Sequence, residues 1–143
     1  MQKLTLTRPD DWHIHLRDGL ALETTVKDVA SQFSRAIVMP NLNPPVTNVS
    51  LAQKYKNNIQ KQIPKALKFE PLMTLYLTDN TSANDIEQAM QTDFIKACKL
   101  YPAGATTNSD SGLSQIENAY PVFDAMQKLG MPLLIHGEVT DSD

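Results

Sequence analysis

One cysteine, Cys98, occurs among the 143 residues, so no internal disulfide can form. That excludes a fold stapled by its own cystines and fits a reducing, cytoplasmic setting. A basic surplus is missing too. Thirteen Lys and Arg face sixteen Asp and Glu, a formal net charge of −3, so no nucleic-acid partner held by bulk charge is expected. No apolar stretch approaches the roughly 18 residues of a membrane span, and no membrane partner is expected. Met1-Gln2-Lys3 leads into alternating residues, not the apolar core of a secretory signal. Neither G-x-G-x-x-G nor G-x-x-x-x-G-K-[ST] is present, which removes the common nucleotide-binding fingerprints. No repeat, low-complexity tract or Pro/Gly/Ser-rich linker divides the chain, and its length suits one domain.

What is there is an alternation of short apolar runs and helical patterns. Strands are expected at Lys3–Thr7 or Trp12–His15, then at Ala36–Met39, Leu72–Leu77, Ile95–Leu100 and Leu133–His136. Each run is short, apolar and bounded by Pro, Asn, Asp or Gly, as buried parallel strands tend to be. Between them the spacing predicts a helix over Leu22–Phe33. A second repeats Leu51, Ala52, Tyr55, Ile59 and Ile63, with Ser50 and Gln53 as a capping box and Pro64 as its stop. A short helix over Ala83–Met90 follows. The last covers Ile116–Leu129, started by Ser114 and Glu117, with either a kink or a true beginning at Pro121. This order means an α/β fold with a parallel sheet, either open and doubly wound or closed as a barrel. A closed eight-stranded barrel needs about 250 residues, more than this chain has.

Three histidines occur, and two form His13-Ile14-His15. On a strand both imidazoles project to one face, close enough to share a metal such as zinc, although the pattern also arises by chance. His136 ends the run Pro132–Ile135, where α/β folds place their ligands. The plainer reading is a partly buried histidine bonded to a loop carbonyl. Lys99 ends the run Phe94–Leu100 with Ala97 on its face. Directed inward, its ammonium would suffer desolvation that favours the neutral amine, which can take up carbon dioxide as a metal-bridging carbamate. Taken alone, a lysine reaching out to solvent is the stronger reading. All these groups fall at the ends of the first, fourth and fifth expected strands. In a barrel they would converge on its carboxyl face, as a binuclear metal site requires.

Longer blocks carry a resemblance. Pro9-Asp-Asp-Trp-His13-Ile-His15-Leu-Arg17-Asp-Gly19 resembles the opening signature of the type II dihydroorotases of the amidohydrolase superfamily. The likeness continues through Arg35-Ala-Ile-Val-Met-Pro-Asn41-Leu-Asn-Pro-Pro-Val-Thr47 and Pro71-Leu-Met-Thr-Leu-Tyr-Leu-Thr-Asp79. It runs on through Lys99-Leu-Tyr-Pro-Ala-Gly-Ala-Thr-Thr-Asn108 and Gly130-Met-Pro-Leu-Leu-Ile-His136-Gly-Glu-Val-Thr140, so essentially the whole chain is covered. The His-x-His pair is shared with hydantoinases; the flanking blocks favour dihydroorotase.

The resemblance implies a (β/α)8 TIM barrel of which about the first five strands are present. Residues 1–143 would then be the amino-terminal part of a single metal-dependent hydrolase barrel. It implies two Zn2+ ions: His13 and His15 on the first, carbamylated Lys99 bridging both, and His136 on the second. Arg17 and Asn41 match the positions that grip the substrate's carboxylate, and His15 and His136 also border the substrate. Arg17 lies two residues past His15 and so is expected to face the same way; its fork suits a carboxylate, or an ordinary surface salt bridge. Asn41 is otherwise a plain turn residue. Thr106 and Thr107 match a mobile loop closing over the substrate, and Gly104–Gly112 is small, polar and nearly without anchors in sequence.

The implied reaction interconverts N-carbamoyl-L-aspartate and L-dihydroorotate in pyrimidine synthesis. A further zinc-binding histidine and the general-base aspartate belong to later strands, so no catalytic base is expected in this chain. Asp141 and Asp143 follow the fifth strand and are not substitutes. The small-molecule substrate and the missing carboxyl-terminal segment are the expected partners, with a homodimer as the family's habit. The alternatives are an inactive fragment, a subunit needing its carboxyl-terminal complement, or another cyclic amidase such as a hydantoinase.

Overall fold

Glu70–Leu77 is buried at every position but its first, which marks a strand covered on both faces. In the computed structural model, which describes residues 3–138, it is the centre of a five-stranded sheet. In chain order the elements are β1 (Asp11–Ile14), α1 (Ala21–Gln32), β2 (Arg35–Val38), α2 (Val49–Gln62) and β3 (Glu70–Leu77). They continue with α3 (Ala83–Met90), β4 (Ile95–Leu100), a 3-10 turn (Ile116–Ala119), α4 (Tyr120–Leu129) and β5 (Leu133–Ile135). The sheet runs β1-β2-β3-β4-β5, every pair parallel. A doubly wound sheet would reverse that order at a switch point. Here it never reverses, and the strands form a curled half-barrel with α/β alternation.

The period of two gives the sheet two distinct faces. Ala36, Val38, Met73, Leu75, Leu77, Cys98 and Leu100 point outward and join Leu22, Val26, Ile59, Ile86 and Val122 of the helices in one apolar core. The intervening residues of β3 and β4 point the other way. Thr74 lies in register with Ala97, and Tyr76 with Lys99, all buried. The inner face is thus more polar than the outer, and Lys99 belongs to it. No helix among the described residues is long and apolar enough to cross a membrane.

Several local expectations need correction. Of the two candidates for the first strand, Lys3–Thr7 forms none, and Leu4 and Leu6 lie exposed. The capping box at Ser50 and Gln53 does not form. Asn48 caps α2 by accepting from the Leu51 N–H at 2.9 Å, while Gln53 donates along the helix to Asn57. Of the two readings of the last helix, the true beginning at Pro121 is the one that forms: Ile116–Ala119 is a 3-10 turn leading into α4, with Pro121 in its first turn, where its missing N–H costs nothing. β5 ends at Ile135, so His136 sits just beyond the strand. Asp141 and Asp143 lie outside the described residues.

Candidate metal and substrate site

The site is built at the carboxyl end of the strands. β1 carries His13, His15 follows just past its end at Ile14, and their Nε2 atoms stand 3.2 Å apart. His15 Nδ1 donates to Asn41 Oδ1 at 2.8 Å. The amide orientation follows from its other end, because Asn41 Nδ2 donates to the Thr107 carbonyl at 3.0 Å. With Nδ1 carrying the proton, the Nε2 lone pair of His15 faces His13. Burial holds both imidazoles below their usual range. The Lys99 charge adds to this at His13, against Asp11, and Arg17, His13 and Lys99 add to it at His15, against the Asn41 bond. Neutral imidazoles are the form that binds metal.

Lys99 is only 2% exposed. Burial pushes its amine below the usual lysine range, and among the described residues no carboxylate lies within ion-pair distance of it. The alternative of a lysine reaching out to solvent is not realised. Its Nζ instead lies 5.1 Å from the centre of the Tyr101 ring. His136 is tied to the adjacent strand by its N–H on the Leu100 carbonyl at 3.0 Å. The Lys99 Nζ and the His136 ring lie 5.1 and 5.8 Å from the centre of the Tyr101 ring, and His13, His15, Lys99 and His136 all fall near the carboxyl ends of their strands.

Arg17 lies beyond the first strand, in an exposed loop. β1 ends at Ile14, and Arg17 has a left-handed backbone at φ 64°, with the Tyr55 hydroxyl donating to its carbonyl at 2.6 Å. Its charge bears on both His15 and Tyr101. The loop with Thr106 and Thr107 is anchored, contrary to its composition. Asn108 Nδ2 donates to the Asn41 carbonyl at 3.1 Å, and the Tyr76 hydroxyl to the Asn108 carbonyl at 3.2 Å. Ser109, fully buried, donates to the Thr106 carbonyl at 2.6 Å and accepts from the Thr106 N–H at 2.8 Å. Short polar side chains staple this loop to itself and to the end of β2.

The amidohydrolase family model matches residues 10–143. The chain belongs to the amidohydrolase family. Over 140 residues it is 61% identical to a dihydroorotase of Cupriavidus necator, an alignment covering 98% of this chain and 41% of that protein. Among solved structures it resembles a dihydroorotase from Campylobacter jejuni with a TM-score of 0.86 and 42% identity, over 94% of this chain and 39% of that one. An L-hydantoinase from Arthrobacter aurescens shares the fold, with a TM-score of 0.71 and 15% identity over 92% of this chain and 29% of that one. This amidohydrolase chain therefore spans about two fifths of the length of the dihydroorotases it matches.

The donor set fits zinc in part. Two nitrogens bound to one tetrahedral Zn2+ at about 2.05 Å lie roughly 3.3 Å apart, close to the 3.2 Å between the His13 and His15 Nε2 atoms. No group of three His, Cys, Asp or Glu side chains is assembled among the described residues of this amidohydrolase. The pair is complete in itself; a full coordination shell is not. Two residues escaped the sequence reasoning. Glu138 Oε2 lies 2.6 Å from His136 Nε2, a His-x-Glu spacing that an alternating pattern past the strand could have revealed. Tyr101, two residues past Lys99 and buried, is the other.

Proposed function

We propose that this chain forms the amino-terminal strands of a zinc-dependent dihydroorotase that interconverts N-carbamoyl-L-aspartate and L-dihydroorotate in pyrimidine synthesis in the cytoplasm. The observation that carries the reading is the His13–His15 pair at 3.2 Å, oriented through Asn41 and set beside the buried Lys99. Identity to named dihydroorotases supports this chemistry, whereas the hydantoinase likeness speaks for the fold alone. His13 and His15 would hold one zinc ion, Lys99 as its carbamate would bridge to a second, and His136 would hold that second ion. When bound, the metal pair supplies Lewis acidity toward an amide carbonyl.

The chain's own residues would bind the substrate and shield it. Arg17 presents a planar fork suited to the substrate's carboxylate. The Asn41 amide carries two N–H groups and uses one on Thr107, which leaves the other for the same carboxylate. Thr106 and Thr107 lie on the loop stapled to Asn41 and shield the mouth from water. The general base belongs to a segment beyond this chain.

Recombination tests the reading. The chain is mixed with the carboxyl-terminal remainder of the Cupriavidus necator dihydroorotase, and zinc content and turnover of dihydroorotate and of hydantoin are measured. We expect zinc uptake and hydrolysis of dihydroorotate by the recombined protein, neither activity from the chain alone, and loss of the second metal in Lys99→Ala. A recombined protein that turns over hydantoin in preference, or keeps two metals in Lys99→Ala, overturns it.

A further inference from the structure

Tyr101 Oη is the one buried side-chain polar atom without a hydrogen-bond partner among the described residues. The residue is 1% exposed, its ring stacks on Tyr76 at 5.1 Å, and the His136 ring lies 5.8 Å away. A buried hydroxyl left unpaired is costly, so such groups ordinarily meet an acceptor that the apo chain does not itself provide. Neither Tyr101 nor its neighbour Lys99 is open to solvent. Lys99 is that neighbour in two ways. It precedes Tyr101 by two residues at the end of β4, and its Nζ lies 5.1 Å from the ring centre.

We infer that Tyr101 is a positioning residue whose hydroxyl donates to the carboxylate formed on Lys99. The inference rests on the carbamate assigned to Lys99 in the proposed function. The modification is balanced as follows. The Nζ lone pair of the neutral amine attacks the carbon of dissolved carbon dioxide, forming one N–C bond while a C=O π pair moves onto oxygen. The nitrogen then releases one proton to water, leaving an N–H carbamate with one negative charge. Its oxygens extend the side chain by two bonds and accept only, so they need donors that the ammonium did not. The Tyr76 hydroxyl cannot serve, being given to the Asn108 carbonyl at 3.2 Å. Tyr101 is free to do so.

The test titrates the metal-free chain with isotopically labelled bicarbonate and follows the carbamate carbon by NMR. The parent chain should show a resonance that Lys99→Met lacks. Tyr101→Phe should need about tenfold more bicarbonate for half-carboxylation, the loss of one hydrogen bond to a charged acceptor. Tyr76→Phe, which alters the same stacked pair, should titrate like the parent. In carbon-dioxide-free buffer Tyr101→Phe should be at least as heat-stable as the parent, because its hydroxyl has no partner there. Equal half-carboxylation of Tyr101→Phe and parent overturns this role for Tyr101 and leaves the proposed function intact. A parent without any carbamate resonance overturns the inference as well.

Discussion

The Nδ1–H of His15 is given to the side chain of Asn41 across 2.8 Å, and Asn41 in turn holds the Thr107 carbonyl at 3.0 Å. One buried amide thus ties an imidazole of the candidate metal pair to the loop that carries Thr107.

Removing that amide should therefore uncouple two things at once. Asn41→Ala should lower zinc affinity by about 10- to 100-fold, the usual effect of losing the partner of a metal-binding histidine. It should also cost about 1–3 kcal/mol of stability, because the His15 donor and the Thr107 carbonyl lose their partner. Asn41→Asp separates the effects: an acceptor for His15 remains, while the donor to Thr107 is gone. Chelator competition and thermal melting check both variants. Zinc affinity unchanged in Asn41→Ala would remove Asn41 from the support of the metal.

The histidine pair also predicts how the metal-free chain responds to acid. His13 and His15 are held below the usual value of 6.5, chiefly by burial. The unfolded chain then binds protons at these groups before the folded chain does. Stability should fall as the pH drops from about 6.5 toward the lower folded values. A separate loss should come only below the usual carboxyl value of 3.8. Asp10, lowered by its hydrogen bond from Arg35, and Asp79, lowered by Ser114 and Asn118, give up their stabilisation there. Urea midpoints measured between about pH 4.5 and 7.5 isolate the histidine range. A parent curve that slopes there, and is flattened by His13→Gln with His15→Gln, is the expected result; a parent curve already flat contradicts it.

The strands and the His-x-His pair were legible because their signals are local. Short apolar runs with polar boundaries gave β2 to β5 within a residue or two, and a period of two put both imidazoles on one face. What was hidden depends on single dihedral angles or on distant partners. Asn48, with its extended backbone, caps α2 in place of Ser50, a choice of φ and ψ that composition does not reveal. Arg17 lies past the end of β1 with a left-handed backbone, a dihedral that alternation does not give. The loop looked unanchored because its anchors, Asn41 and Tyr76, lie 66 and 32 residues away in sequence. Burial of Lys99 was equally out of reach, since it follows from the register that sets Tyr76 beside it.

Gly112 closes the same loop and gives the last prediction. A Cβ there would stand 2.3 Å from the Tyr101 carbonyl oxygen, 3.0 Å from that of Ser109 and 3.1 Å from the Ala103 nitrogen, all of them backbone atoms. None can yield as a flexible side chain would. The bonds that pin the loop start here: Leu113 N–H donates to Tyr101 at 3.0 Å and Ala103 N–H to Leu113 at 3.0 Å. Gly112→Ala should therefore break this pairing and destabilise the chain by about 1–3 kcal/mol, as overpacking does. Gly130 is the control. It has a left-handed φ of 72° with nothing within 4 Å of an added Cβ, so Gly130→Ala carries backbone strain alone, about 1–2 kcal/mol. Stability thus separates the two poorly, and amide exchange separates them well. Ala103 and Leu113 should lose protection in Gly112→Ala and keep it in Gly130→Ala. Protection retained in Gly112→Ala would mean that the loop does not depend on close backbone approach at this glycine.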